Sequence, residues 1–370
     1  METKNLYVPN KKTYFPQIDS LRGLSFFAIF LFHTVRLPRS NFLGDSFIRF
    51  IYGNLHLGVE IFFVLSAFLL TMLAFIEYDK NGDFSFKNYF TRRALRIWPL
   101  YFLLLLISFL LIPRIAAIFN YNVSLPNAWF YIFFISNFYL PDHVFFLKIL
   151  WTISVEEQFY LIWGLSLKFL KKRIKLIIGL LIMVSISFSI YALIFKISQY
   201  FNTLTYLVDF GFGALAATLL FSKNKISKWI AGMSPVQKNI FHFYLLFHFI
   251  LFYFLDNYST GLTNDFLSLL NRYVFLFYIA LLLIEQVMND ATVTVLKNNK
   301  FLVYTGKLSY GLYCYHGLVI TFINLLILKY SLPNVLMIII YLILDFGVAT
   351  ISYYYFEKPF LSLKQRLRRI

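Results

Sequence analysis

Five ionisable side chains, His33, Glu60, Glu156, Glu157 and His316, lie inside stretches that otherwise read as lipid-facing helix. A charge at the centre of a bilayer costs ~2.5–3.5 kcal/mol on insertion scales, so a chain that keeps several of them uses them. A neutral imidazole can take up a proton and pass it on. Two neighbouring carboxyls such as Glu156 and Glu157 resist joint ionisation, so one can stay protonated and donate a hydrogen bond. Acid–base chemistry, hydroxyl binding or a proton path are what these residue types allow.

Spacing narrows the choice. Arg22 and His33 are eleven residues apart. Eleven helical steps return to within about 20° of one face and rise about 16 Å, which places Arg22 at a membrane mouth and His33 near mid-membrane. A core histidine above a snorkelling arginine satisfies the same spacing. Arg93 and Arg96, in FKNYFTRRALRIWPLY, are three apart and share a face at the start of the third span, while Arg92 points elsewhere. Two guanidiniums on one face can grip a phosphate bidentately, and they also serve as topology-setting charges. Ser66 is a nucleophile by type, but an intramembrane serine more often packs closely or bonds its own helix. Glu60 without a partner is expensive. Tyr310, Tyr313 and His316 form one polar-aromatic ridge at steps of three. Asp209 and Asp345 are read as helix–helix or cation partners, and the single cysteine, Cys314, as a small buried residue.

The elements that must position these groups follow from composition. The chain has 370 residues, is 60% hydrophobic and carries a formal charge of +17, with 46 Phe and 27 Tyr. This excludes an ordinary soluble domain and indicates an all-α, polytopic membrane helix bundle. The basic residues lie in short segments between apolar runs, where they set topology, so nucleic-acid binding is not expected. About ten segments of spanning length are present: 21–36, 57–76, 97–113, 150–169, 176–195, 204–221, 239–255, 270–288, 310–328 and 334–355. An eleventh run, 128–141, is short and contains Asn137. With ten spans and both termini cytoplasmic, 26 of the 34 Lys and Arg fall inside and 8 outside. If 128–141 crossed, the KKRIK run at 171–175 would move outside. The positive-inside rule therefore makes 128–141 re-entrant or interfacial. The expectation is a single membrane domain over 1–370, with a short N-terminal segment 1–20, a basic tail 357–370, no internal repeat and no cleaved signal peptide.

Taken in order, five blocks resemble the acyltransferase-3 family of integral-membrane transferases. They are Arg22-Gly23-Leu24 through His33; Gly58-Val59-Glu60-Ile61-Phe62-Phe63-Val64-Leu65-Ser66; Arg93 and Arg96 followed by Ile97, Pro99 and Tyr101; Trp151 with Ser154 through Tyr160; and Ser309-Tyr310, Tyr313 and His316 with the closing Phe356-Glu357-Lys358-Pro359-Phe360. The resemblance implies transfer of an acyl group, usually acetyl, from a cytoplasmic coenzyme A thioester to a sugar hydroxyl of an envelope or exported glycan or its lipid-linked precursor. It implies acetyl-CoA as a co-substrate, with no permanently bound cofactor and no metal. By the same resemblance His33 is the catalytic histidine and Arg22 its paired donor-side cation. Arg93 and Arg96 are donor-binding. Glu156 is a second candidate for acid–base work, and Glu60, Ser66, Glu157, Tyr313 and His316 are acceptor-side or supporting residues. The serine block departs from the family pattern, reading Ser66-Ala67-Phe68 where glycine is commoner in the middle place. No extracytoplasmic hydrolase-like domain follows the last span, so the chain resembles the stand-alone members. A bacterial inner membrane is the expected location.

Two other classes use the same residues. A proton-coupled transporter or flippase would employ the intramembrane acids and histidine as a proton path, and is expected to show repeat symmetry and broken helices in both halves. A non-catalytic envelope-assembly subunit needs none of the paired motifs intact.

Overall fold

Helix boundaries in the computed structural model follow local stop and start signals. The structure describes residues 14–35, 45–118, 123–139, 144–222, 224–288, 294–327 and 333–366. The principal helices are α1 (Pro16–Thr34), α2 (Asp45–Gly53), α3 (Leu57–Asn81), α4 (Phe86–Leu106), α5 (Trp151–Phe169), α6 (Ile174–Ile194), α7 (Thr203–Phe221), α8 (Pro235–Tyr258), α9 (Leu262–Met288), α10 (Lys300–Ile327) and α11 (Asn334–Ser352). α4 and α11 each run on through a π-helical turn, at Ile107–Leu111 and Tyr353–Glu357. The described residues contain helices and no strand. α1 takes up residues 16–20 of the expected N-terminal segment, α2 takes up 45–53 of the stretch 36–56, and 36–44 lie outside the described residues. Residues 1–13, Leu140, Pro141, Lys329 and 367–370 lie outside the described residues.

Seven stretches are long and apolar enough to cross a bilayer: Ser46–Asn81, Phe86–Ile118, Lys171–Ile194, Thr203–Phe221, Pro235–Tyr258, Leu262–Met288 and Asn334–Leu363. They match seven of the ten expected spans, and the chain is an integral membrane protein. The other three expected spans, 21–36, 150–169 and 310–328, are helical too, as α1, α5 and the C-terminal part of α10. Each of the three carries polar residues within its apolar run. Those residues include Arg22 and His33, Glu156 and Glu157, and His316.

Two expected boundaries move. The loop expected over 77–96 is only a few residues long. Gly82 ends α3 in the left-handed region at φ 71°, its N–H bonded to Tyr78 O at 2.9 Å. Ser85 then caps α4 by accepting from Asn88 N. Arg93 and Arg96 are therefore about two turns inside a continuous helix. α1 begins at Pro16, a residue suited to the first helical position, and ends at Thr34. His33 accordingly sits in the last turn of α1.

The described chain divides into two compact units, Met1–Asp83 with Lys172–Gln199 and Leu204–Lys307, and Phe84–Lys171 with Tyr200–Thr203 and Leu308–Ile370. In the first unit α1 packs on α3, and glycines set the separations. A Cβ on Gly306 would collide with the Asp19 carbonyl oxygen, and one on Gly213 with that of Val64. Gly213 also faces Ala67, so the close approach next to Ser66 is supplied by the neighbouring helix α7 where the serine block lacks its own glycine. Gly306→Ala is therefore expected to lower stability by about 1–3 kcal/mol, the usual cost of overpacking. Gly53→Ala is the control, because nothing lies within 4 Å of a Cβ there. Melting of the two variants in detergent checks this, and equal melting temperatures would refute the close approach.

In the second unit the 128–141 run does not span. It forms two short turns, Trp129–Ile132 and Ser136–Phe138, separated by Phe134 at φ 55°. Trp129, Phe133 and Phe138 are all more than half exposed, as suits an interfacial or re-entrant segment. Its strained turn is held from α4 and α5. Tyr101 Oη donates to Tyr131 O at 2.8 Å, and Gln158 Nε2 donates to Phe134 O at 2.8 Å and to Asn137 Oδ1 at 2.9 Å. The Phe134 ring stacks on Tyr101 with centroids 4.7 Å apart.

Candidate functional site

In the first unit α1 carries Arg22 and His33 on one continuous helix. Arg22 is buried and pairs with Asp19 one turn back, Nη1 to Oδ1 at 3.5 Å. His33 is half-buried beside Phe32. The turn that presents it is fastened by Tyr52, whose hydroxyl donates to Phe32 O at 2.8 Å and to Val35 O at 3.0 Å. The Phe32 ring in turn lies 6.0 Å from that of His56, one helical turn ahead of Glu60. The structure thus puts a cation on the first half of α1 and an imidazole at its far end, about 16 Å on.

Glu60 is not alone. Arg272, from α9, donates from Nε to Glu60 Oε1 at 2.9 Å and from Nη2 to Asp209 Oδ1 at 2.7 Å. Two acids from α3 and α7 therefore share one guanidinium, all three almost wholly buried. The rings of Tyr206 and Tyr273 each lie 5.5 Å from the guanidinium carbon. Asp209 has the cation partner expected of it. Asp345 does not: it is buried on α11 and neither carboxyl oxygen has a hydrogen-bond partner among the described residues. Ser66 is half-buried on α3 beside the Gly213 approach, consistent with close packing.

The second unit gathers the remaining candidates around α4, α5 and α10. Arg93, Arg96 and Arg92 are all half-buried, and the Arg93 guanidinium sits 5.8 Å from the Tyr160 ring centroid. The adjacent glutamates diverge as a helix requires. Glu157 is buried and its Oε2 accepts from Trp98 Nε1 at 3.0 Å, whereas Glu156 is half-buried. Tyr310 Oη donates to Ile97 O at 2.7 Å and Tyr313 Oη to Ile149 O at 2.8 Å, while Thr152 donates to Tyr313. The ridge expected on α10 therefore works as a set of clamps onto α4 and the start of α5. His316 is fully buried, with Nδ1 2.6 Å from Tyr313 O. A carbonyl can only accept, so Nδ1 carries the proton and Nε2 is the acceptor nitrogen. No group of three or more metal-ligating side chains occurs among the described residues.

Three residues that bond to these groups or to the 128–141 run were not singled out from sequence. Arg272 was assigned to an outer loop as a topology charge; its place within the apolar run 270–288 is the signal that it needs an acid. Trp98 and Gln158 lie inside the quoted motifs but were passed over, being uncharged.

These features define an integral-membrane helical protein that carries acids, guanidiniums and imidazoles among its helices. The acyltransferase-3 profile, described as an acyltransferase domain, matches residues 15–354, and the chain belongs to that family. It is 26% identical over 377 residues to the peptidoglycan O-acetyltransferase OatA of Listeria monocytogenes, covering 94% of this chain and 56% of the relative. It is 28% identical over 387 residues to the O-acetyltransferase OatA of Staphylococcus aureus, covering 97% and 60%. The chain thus spans somewhat over half the length of these relatives. No solved structure matches it significantly.

Proposed function

We propose that this chain is a membrane O-acetyltransferase that moves an acetyl group from cytoplasmic acetyl-CoA to a hydroxyl of a cell-envelope glycan, with peptidoglycan the acceptor class that the Listeria relative's name supplies. The observation that carries the reading is the separation of Arg22 and His33 along α1, a cation towards one end and an imidazole in the last turn of the other. The family match supports the reaction class.

In this reading both termini are cytoplasmic, in a bacterial inner membrane, and Arg93 and Arg96 hold the donor's phosphates. His33 takes the proton of the acceptor hydroxyl as its oxygen attacks the thioester carbonyl. The C–S bond breaks and coenzyme A leaves as the thiol once a proton reaches its sulfur. Alternatively, His33 accepts the acetyl group first and passes it on. The covalent route gives ping-pong kinetics and a trappable acetyl-enzyme; direct transfer gives neither. Glu156 and Glu157 supply hydrogen bonds and a proton store beside Trp98.

The test is incorporation of label from radiolabelled acetyl-CoA into muramidase-released envelope glycan, in membranes with and without the chain. Label that depends on the chain is expected. Equal label in both membranes, or none in either, would overturn the reading.

A further inference from the structure

The Glu60–Arg272–Asp209 cluster has more hydrogen-bonding capacity than it uses. One oxygen of each acid is bonded to Arg272, yet Glu60 Oε2, Asp209 Oδ2 and Arg272 Nη1 are each buried with no hydrogen-bond partner among the described residues. A buried polar atom left unmatched is costly, and such atoms call for an explanation. Here two are acceptors and one is a donor, and they come from three different helices, α3, α7 and α9. The ring faces of Tyr206 and Tyr273 border the guanidinium.

This combination selects a ligand class. A small cation has its place taken by Arg272, and an anion is opposed by two carboxylates around one guanidinium. A hydroxyl group both donates and accepts, so it can give its proton to Oε2 or Oδ2 and accept from Nη1. Aromatic faces suit the apolar C–H side of a pyranose ring. Location agrees: Glu60 is in the first turn of α3, one turn from His56, and His56 reaches the Phe32 ring next to His33.

We infer that Glu60, Asp209 and Arg272, with Tyr206 and Tyr273, form the subsite that binds hydroxyl groups of the acceptor sugar and presents one of them towards His33. The inference rests on the acetyltransferase reading for what happens next, but binding itself can be read separately.

The experiment uses the full chain purified in detergent, with soluble glycan fragments released from bacterial envelope by muramidase as the probe. Binding is measured by saturation-transfer NMR, and acceptor and acetyl-CoA KM values are measured in parallel. Asp209→Asn and Glu60→Gln keep the shape of the cluster. Each is expected to raise the acceptor KM by about tenfold or more, as loss of a charge-assisted hydrogen bond does, and to leave the acetyl-CoA KM within about twofold. Tyr206→Leu, which removes the ring face, is expected to lose the fragment signal. If the acidic variants do not fold, Tyr206→Leu carries the test. A merely structural triad would lower the melting temperature and leave the acceptor KM in place, and that result overturns the inference. Fragments bound by wild type without acetyl transfer would keep the subsite and remove the acetyltransferase reading. Fragments neither bound nor acetylated would remove both.

Discussion

Replacing His33 with alanine is expected to cut acetyl transfer at least about a hundredfold, the lower range of what a positioned acid–base group contributes. The structure separates this loss from misfolding. The last turn of α1 is closed by Val35 N to Leu31 O at 2.9 Å and by Thr34 Oγ1 to Phe30 O at 2.7 Å. Tyr52 pins the same turn through two backbone carbonyls. These bonds are made by the main chain and by neighbouring side chains, and alanine is the best helix former, so the helix stays intact. Membranes matched for protein content should therefore hold a folded, inactive His33→Ala chain. Acetylation of envelope glycan at the wild-type rate by this variant would take His33 out of the mechanism. A trapped acetyl-enzyme in the wild type that is missing from the variant would decide for the covalent route.

The second large effect is on stability. Arg272→Ala strands Glu60 and Asp209, buried at 5% and 0% side-chain exposure, with no counter-charge. Removing one partner from a buried ion pair typically costs about 3–5 kcal/mol, a large share of the stability of most folded chains. The expected result is a sharp fall in folded protein recovered from membranes and in melting temperature. Adding Glu60→Gln and Asp209→Asn to Arg272→Met removes both stranded charges and should recover much of the loss, while leaving acceptor use impaired. An Arg272→Ala chain that melts like wild type would show that the three side chains do not depend on one another as their geometry indicates.

Much of this molecule is legible in its residue order. The run 128–141 is short for a crossing and the charge bias argues against one, and it forms two short turns. The divergence of Glu156 and Glu157 follows from the helical step alone. Where the reading shifted, the cause was a helix extending past the apolar run into charged sequence. Lys80 belongs to α3, and Arg92, Arg93 and Arg96 to α4, because Gly82 and Ser85 place the turn between them. Hydropathy marks where lipid ends, not where hydrogen bonding ends.

Hydrophobic periodicity and charge bias thus specified a polytopic helical membrane protein. The ordered blocks around His33, Glu60, Arg93, Glu157 and His316 specified its family. Partnership was another matter. Arg272 meets Glu60 across 212 residues of sequence and Asp209 across 63, and Trp98 meets Glu157 across 59. No local pattern encodes such pairs. Between membrane helices the hydrophobic effect gives little preference for one neighbour over another, so the choice rests on a few small residues and polar contacts. Gly306 against Asp19 and Gly213 against Val64 make those choices here, and only the folded chain brings them together.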